Sequence, residues 1–231
     1  MKKIFTIFIM ICLVMVLSSC DQFKFTKAFE KLSEENYTMQ GAMRMDMKMT
    51  YMGKNVEQTM VADLLIQSSP TEVYSETKMN GAIQKSYVKI DKENSTVTMY
   101  TNEGLSWKKE NKSLEEYKNA SDSYFLDIET KDVFTLKDDV WVGNTEIITS
   151  MLEKYMDDIA DELGGSGAKI KSFTVEKYNI EMNGSDISKL DIAMTMEMVA
   201  SGVNITVKIT MPMEISSVGS TTVSIPEGLP A

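Results

Sequence analysis

Apolar and polar residues alternate strictly over much of this chain. Met39, Gly41, Met43, Met45, Met47, Met49 and Tyr51 interleave with Gln40, Ala42, Arg44, Asp46, Lys48 and Thr50. A period of two predicts a strand with one apolar and one polar face. Gly53-Lys54-Asn55 reads as a turn, and Val56, Gln58, Met60, Ala62, Leu64 and Ile66 carry the period on. Together they predict a long hairpin that Ser68 to Pro70 ends. Val73 to Met79, Lys85 to Asp91 and Thr96 to Tyr100 read as further strands. Asn80-Gly81 and Lys92-Glu93-Asn94-Ser95 are the turns between them, and Trp107 closes the run.

The period then changes. Lys112 to Ala120 reads as a short helix capped by Ser113, with Glu116 three residues on as its capping-box partner. Asp127 to Gly143 fits neither period clearly. Over Asn144 to Leu163, Ile148, Met151, Leu152, Tyr155, Met156, Ile159 and Leu163 form one helical stripe, which Gly164-Gly165-Ser166-Gly167 ends. Strands return at Ile170 to Met182. Leu190, Ile192, Met194, Met196 and Met198 are the inward positions of the next strand, and Ser201-Gly202 is a tight turn. Val203, Ile205, Val207, Ile209, Met211, Met213 and Ile215 follow. Thr221 to Pro226 closes the domain. Near the start, Asp21 to Glu35 reads as a short tether running into a helix with Phe25, Ala28, Phe29 and Leu32 on one face. The expected class is α+β: a large curved antiparallel sheet covered by a few helices, with 147–163 as the available cover.

Composition narrows the chemistry. Among 231 residues there is no histidine and there are two cysteines, Cys12 and Cys20. His-based triads, His bases and His metal ligands are excluded. The formal charge is −10 and becomes −12 once Lys2 and Lys3 leave with a signal segment. That argues against nucleic acid as a partner and against broad adsorption to anionic lipid heads. Lys2 and Lys3 precede the apolar run Ile4 to Leu17, broken only by Thr6. The run is shorter than the ~20 residues of a membrane span and fits a signal-peptide core.

Leu17-Ser18-Ser19-Cys20 resembles the lipobox of bacterial lipoproteins: an aliphatic residue, two small ones and a cysteine. The resemblance implies cleavage after residue 19, lipid on the Cys20 thiol, and an anchor on the extracytoplasmic face of the cell membrane. Residues 1–19 are then the signal peptide and 20–231 a single domain without a free thiol or a disulfide. In an enterobacterial envelope, Asp21 would resemble an inner-membrane retention signal.

The order of lipobox, helix, "NYTMQGAMRMDMKMT", long hairpin, "SPTEVYSE", "SYVKI" and "GLSWKK" resembles the LolA-like half-barrel lipoproteins. These are the superfamily of the periplasmic lipoprotein carrier and the mycobacterial lipid-binding lipoproteins, with uncharacterised Gram-positive members nearest in pattern. The resemblance implies a half β-barrel wrapped around helices, with an apolar cavity that holds acyl chains in characterised relatives.

Periodicity places Met43, Met45, Met47, Met49, Met60, Leu64, Met151, Tyr155, Met194, Met196, Met198, Ile205, Val207 and Ile209 toward such a cavity. Seventeen methionines remain after Met1, Met10 and Met15 leave. Methionine suits an adaptable apolar surface, and equally a filled core. Copper(I) is disfavoured, because methionines two apart on a strand lie ~6.6 Å apart and no Cys or His supports them. The acidic pairs Asp138-Asp139, Asp157-Asp158 and Asp161-Glu162 lack EF-hand spacing and read as solvated faces. Trp107 and Trp141 read as core anchors or pocket-mouth residues. The expectation is a non-enzymatic, cofactor-free, monomeric lipoprotein that binds a lipid or other hydrophobic molecule. The alternative is a scaffold or sensory lipoprotein with a packed core and a protein or cell-wall partner.

Overall fold

A computed structural model describes residues 21–32, 34–103, 106–121, 133–153 and 168–230. Cys20 and the signal segment, Tyr155 with Met156, Ile159 and Leu163, and the turn at 164–167 lie outside the described residues.

Helix α1 covers 21–32. The strands are β1 (Tyr37–Tyr51), β2 (Lys54–Ser68), β3 (Glu72–Met79), β4 (Ala82–Asp91), β5 (Thr96–Glu103), β6 (Ser106–Ser113), β7 (Phe134–Lys137), β8 (Val140–Gly143), β9 (Ala168–Asn183), β10 (Asp186–Ala200) and β11 (Val203–Ser216). Helix α2 (Leu114–Ser121) follows β6, and α3 (Thr145–Glu153) follows β8. All eleven strands join one open antiparallel sheet in the order β6-β5-β4-β3-β2-β1-β11-β10-β9-β8-β7. The first and last strands lie side by side at its centre. The chain meanders from β1 out to the β6 edge, resumes at β7 on the opposite edge, and meanders back to β11.

Local chemistry sets the hairpins. Met52-Gly53, Asn80-Gly81 and Ser201-Gly202 each have both central residues at positive φ. Two-residue turns of that hand match the twist of the flanking strands. The first turn thus sits at Met52-Gly53, one residue earlier than the alternation implied, and Lys54 already belongs to β2. Asp138 and Asp139, at φ 47° and 64°, close the β7–β8 hairpin. This is where the unassigned stretch before Gly143 goes. Ser113 and Glu116 form the expected box: the Glu116 amide donates to Ser113 Oγ at 3.1 Å, and the Ser113 amide donates to the Glu116 carboxylate at 2.9 Å. The helix starts only at Leu114, because Lys108 to Ser113 extend the sheet as β6. Asn144 caps α3 through the amides of Glu146 and Ile147.

One sheet face is apolar and the other is charged. On β9 the apolar positions change parity: Ile180 and Tyr178, then Val175 and Phe173, then Ile170. Register shifts leave Glu176 and Lys171 without partners on β10, and each extra residue flips the alternation. All five apolar residues therefore pair with apolar positions of β10. The displaced Glu176 accepts from Lys208 Nζ at 2.7 Å and Thr195 Oγ1 at 2.6 Å on the charged face.

The core lies where the helices meet this apolar face. Phe25 of α1 is fully buried and stacks on Trp141, with ring centroids 4.2 Å apart. It also meets Phe134 edge-on at 5.4 Å. Ile148 of α3, Val175, Tyr178, Ile180, Ile192 and Ile215 complete the cluster. Two expectations need correction. The chain is already helical at residue 21, so the stretch read as a tether from Asp21 belongs to α1. The sealing is also shared: α3 contributes Ile148, but α1 inserts the most buried aromatic ring, because its i, i+3, i+4 spacing puts Phe25, Ala28 and Phe29 on one stripe.

At the central seam, pairing between β1 and β11 lapses between the Gly41–Met213 and Arg44–Thr210 pairs. Pro212 has no N–H to offer there. A Cβ on residue 41 would sit 2.1 Å from the Pro212 carbonyl oxygen. Gly41→Ala is therefore expected to destabilise the protein by about 2–3 kcal/mol in chemical denaturation. Met52→Asn, which eases a positive φ of 49°, is expected to stabilise it by about 0.5–1 kcal/mol.

Candidate functional site

Register shows which candidate residues share a surface. Met60 (β2), Met45 (β1), Ile209 (β11), Met194 (β10) and Val175 (β9) form one row across five adjacent strands. Gln58, Met47, Val207, Met196 and Phe173 form the next. Val56, Met49, Ile205, Met198 and Ile170 form the third. Directly opposed side chains on one face have Cβ atoms ~4.5–5.5 Å apart, so each row is a continuous strip. Met43 lies on the same face opposite Ala62, and Leu64 opposite Gly41. Twelve of the fourteen predicted residues thus fall on one face of four central strands. Met151 is half-buried on α3 and packs against the core cluster. Tyr155 is outside the described residues. The candidate set omitted Val56, although the alternation places it on this face, and the alternation did not single out Phe173 or Ile170; these three complete the rows.

Burial along this face is graded. Toward the ends of the strands nearest α1 it is sealed: Met213, Ile215, Ile192 and Ile180 are all buried. Toward the turns at Met52-Gly53 and Ser201-Gly202 it is not. Met43, Met45, Met47, Met49, Met60, Met194, Met196, Met198, Ile205 and Ile209 are each only half-buried, and Val56 is 56% exposed. In the same rows Val207 on β11 and Val175 and Phe173 on β9 are buried, and Met194 and Met196 pack against the core cluster, so the opening is widest on β1 and β2. A large apolar surface left part-open is unusual on a protein that has water as its only neighbour.

The opposite face is a lattice of charge. Arg44 donates to both oxygens of Asp46 at 2.8 and 2.9 Å, and Thr59 Oγ1 donates to the same carboxylate at 2.6 Å. Lys189 pairs with Glu181 at 2.9 Å, and Lys177 pairs with Asp191. A shallow cavity of about 530 Å³ opens on this side around Gln40, Asp63, Glu76, Lys78 and Glu214. Within it, Glu76 accepts from Tyr74 Oη at 2.8 Å and lies 2.9 Å from Lys78 Nζ and 3.4 Å from Lys85 Nζ. Lys78 first, then the Tyr74 hydroxyl, hold its carboxyl at about 2, down from 4.5. Burial, then Glu76, push Tyr74 up to about 12. Among the described residues no group of three His, Cys, Asp or Glu side chains is arranged to hold a metal ion. No described helix is long and apolar enough to cross a membrane.

No family model matches this chain, and no curated protein does. Among solved structures, the ywiB protein from Bacillus subtilis is similar over 76% of this chain and 91% of its own, with 9% identity and a TM-score of 0.23. A likeness that slight carries no argument here. The functional reading rests on the two faces of the sheet.

Glu76 has a depressed pKa in the folded state, so its contribution is complete above about pH 4.5 and is lost as pH falls through about 2. Glu76→Gln is expected to cost about 1–2 kcal/mol at pH 7. The gap between variant and parent closes as pH drops from 5 toward 2, as read by urea denaturation at each pH.

Proposed function

We infer that this protein is a membrane-anchored lipoprotein that holds a lipid or another apolar molecule against its methionine-rich face, without chemistry. The observation that carries the reading is the gradient of burial on that face. One continuous apolar surface is sealed at one end by α1 and α3 and left half-open at the other by ten methionine and isoleucine side chains. An acyl chain laid on the open end removes apolar surface from water, and each buried methylene contributes ~0.8 kcal/mol. Methionine fits this task because its unbranched, polarizable side chain repacks around ligands of different shape. The sheet curves into a half-barrel around the bound chain, as in the LolA-like lipoproteins that the sequence resembles. Lipid on Cys20 places α1, helical from residue 21 on, and the apolar face beside it within reach of the membrane. Two or more acyl chains supply the anchor that the acidic surface does not.

Two measurements test this. Native mass spectrometry of a soluble form beginning at residue 21 is expected to detect co-purifying lipid. Met47→Asp and Met196→Asp are expected to lower its occupancy at least tenfold while leaving circular dichroism unchanged. Protein that carries no lipid, and takes up none from mixed micelles, would favour the packed scaffold lipoprotein instead. For the anchor, Cys20→Ala is expected to move the full chain from the membrane fraction to the soluble one and to abolish its labelling by palmitate. Unchanged membrane association would refute lipidation at that residue.

A further inference from the structure

The charged face carries a second recess, separate from the methionine face. It has a volume of about 540 Å³ and lies between β3–β6 and the C-terminal segment after β11. Strand register builds its floor. Asn102 of β5 stands directly opposite Trp107 of β6, so the amide and the indole are immediate cross-strand neighbours. Tyr74 and Lys85 continue the floor, with Ile83, 51% exposed, at its lip. The C-terminal segment forms the opposite wall with Ser224, Pro226 and Glu227. That segment is held in place: the Ser224 amide donates to Gln67 Oε1 at 3.0 Å, and Val223 packs with Tyr74 and Tyr87. Thr221 Oγ1 meets Thr38 Oγ1 at 2.9 Å.

The lining selects a ligand class. Lys85 is the only cation among these residues, and Glu76 neutralises it from 3.4 Å. With Glu227 on the wall, the recess has no surplus positive charge for an anion. Among the described residues, neither the Asn102 amide nor the Trp107 indole has a hydrogen-bond partner. An acyl chain would cover these groups and leave them unpaired. A peptide adding to the β6 edge would have to pass Lys108, Lys109 and Lys112, the kind of charge that protects edge strands from pairing. What remains is a neutral ligand with an apolar flat side and many hydroxyls. The C–H face of a pyranose ring packs on an indole, and its hydroxyl or acetamido groups pair with an amide and a carboxylate.

We propose that the recess between Trp107, Asn102 and the C-terminal segment binds a neutral saccharide, one or two sugar rings long. The site is independent of the lipid reading, so either can fail without the other.

Trp107 is a built-in reporter, because the other tryptophan, Trp141, is buried beneath Phe25. The test titrates the full-length protein, in a detergent without a sugar headgroup, with tri-N-acetylchitotriose and with cellotriose. Binding is read by tryptophan emission and calorimetry. At least one saccharide is expected to bind saturably and shift the emission to shorter wavelength. Trp107→Ala abolishes the shift and weakens calorimetric binding at least tenfold; Asn102→Ala and Glu227→Gln each weaken it three- to tenfold. The latter two alter exposed or half-exposed side chains, so they decide the matter if Trp107→Ala misfolds. The absence of saturable heat or emission change up to about 10 mM of both saccharides, or binding that survives all three substitutions, overturns the proposal.

Discussion

Everything in this fold follows from covering one face of a single sheet. Among the described residues, eleven strands joined edge to edge leave no second sheet to pack against, so helices supply the other layer. The contact that does this most completely is Phe25 on Trp141, backed by Phe134 and Phe29. It ties the first described helix to β8, near the far edge from β6, and closes the sheet where β9 to β11 are most buried. The cluster around it is the natural seed of cooperativity: it gathers the N-terminal helix, the β7–β8 hairpin and the returning strands in one place. The meander from β2 to β6 has a small core of its own on the other face, where Tyr74, Tyr87 and Val223 meet.

The same constraint explains why the methionine end is free to serve a function. Cover is limited, and where it thins, burial falls from complete to partial along the same strands. Leucine or valine would have served a filled core. Methionine in nearly every open position gives a surface without one required packing arrangement. On the other face, bulges move Glu176 and Lys171 out of register, which keeps charge on the outside even where the sequence period breaks. The two faces therefore have different chemistry by construction: one suited to acyl chains, the other carrying a recess of aromatic and hydrogen-bonding groups.

Much of this was legible in the sequence, for a physical reason. In β1, β2, β10 and β11 one face is apolar along nearly the whole strand, with Gln58 the polar exception on β2, so a period of two reveals both the strand and its inward residues. The capping box at Ser113 and Glu116 and the stripe of α1 were readable likewise, because they depend only on local spacing. Strand β6 was not. Its sequence, Ser-Trp-Lys-Lys-Glu-Asn-Lys-Ser, is polar on both sides, as suits an exposed edge. The inward face of β9 was hidden because its bulges break the period. The β1–β11 seam joins residues far apart in sequence, and nothing local announces it. Of the candidate site, the residues were readable but not their burial, since exposure depends on where the helices lie.

The proposed function requires an apolar molecule to rest against the open methionines. Methyl-labelled methionine spectra of the protein from residue 21 onward, recorded during titration with a lysophospholipid, test this directly. Shifts concentrated at Met43, Met45, Met47, Met49, Met60, Met194, Met196 and Met198, with sealed Met213 unmoved, are the predicted result. Saturating lipid that leaves those eight methyls unshifted would contradict the account.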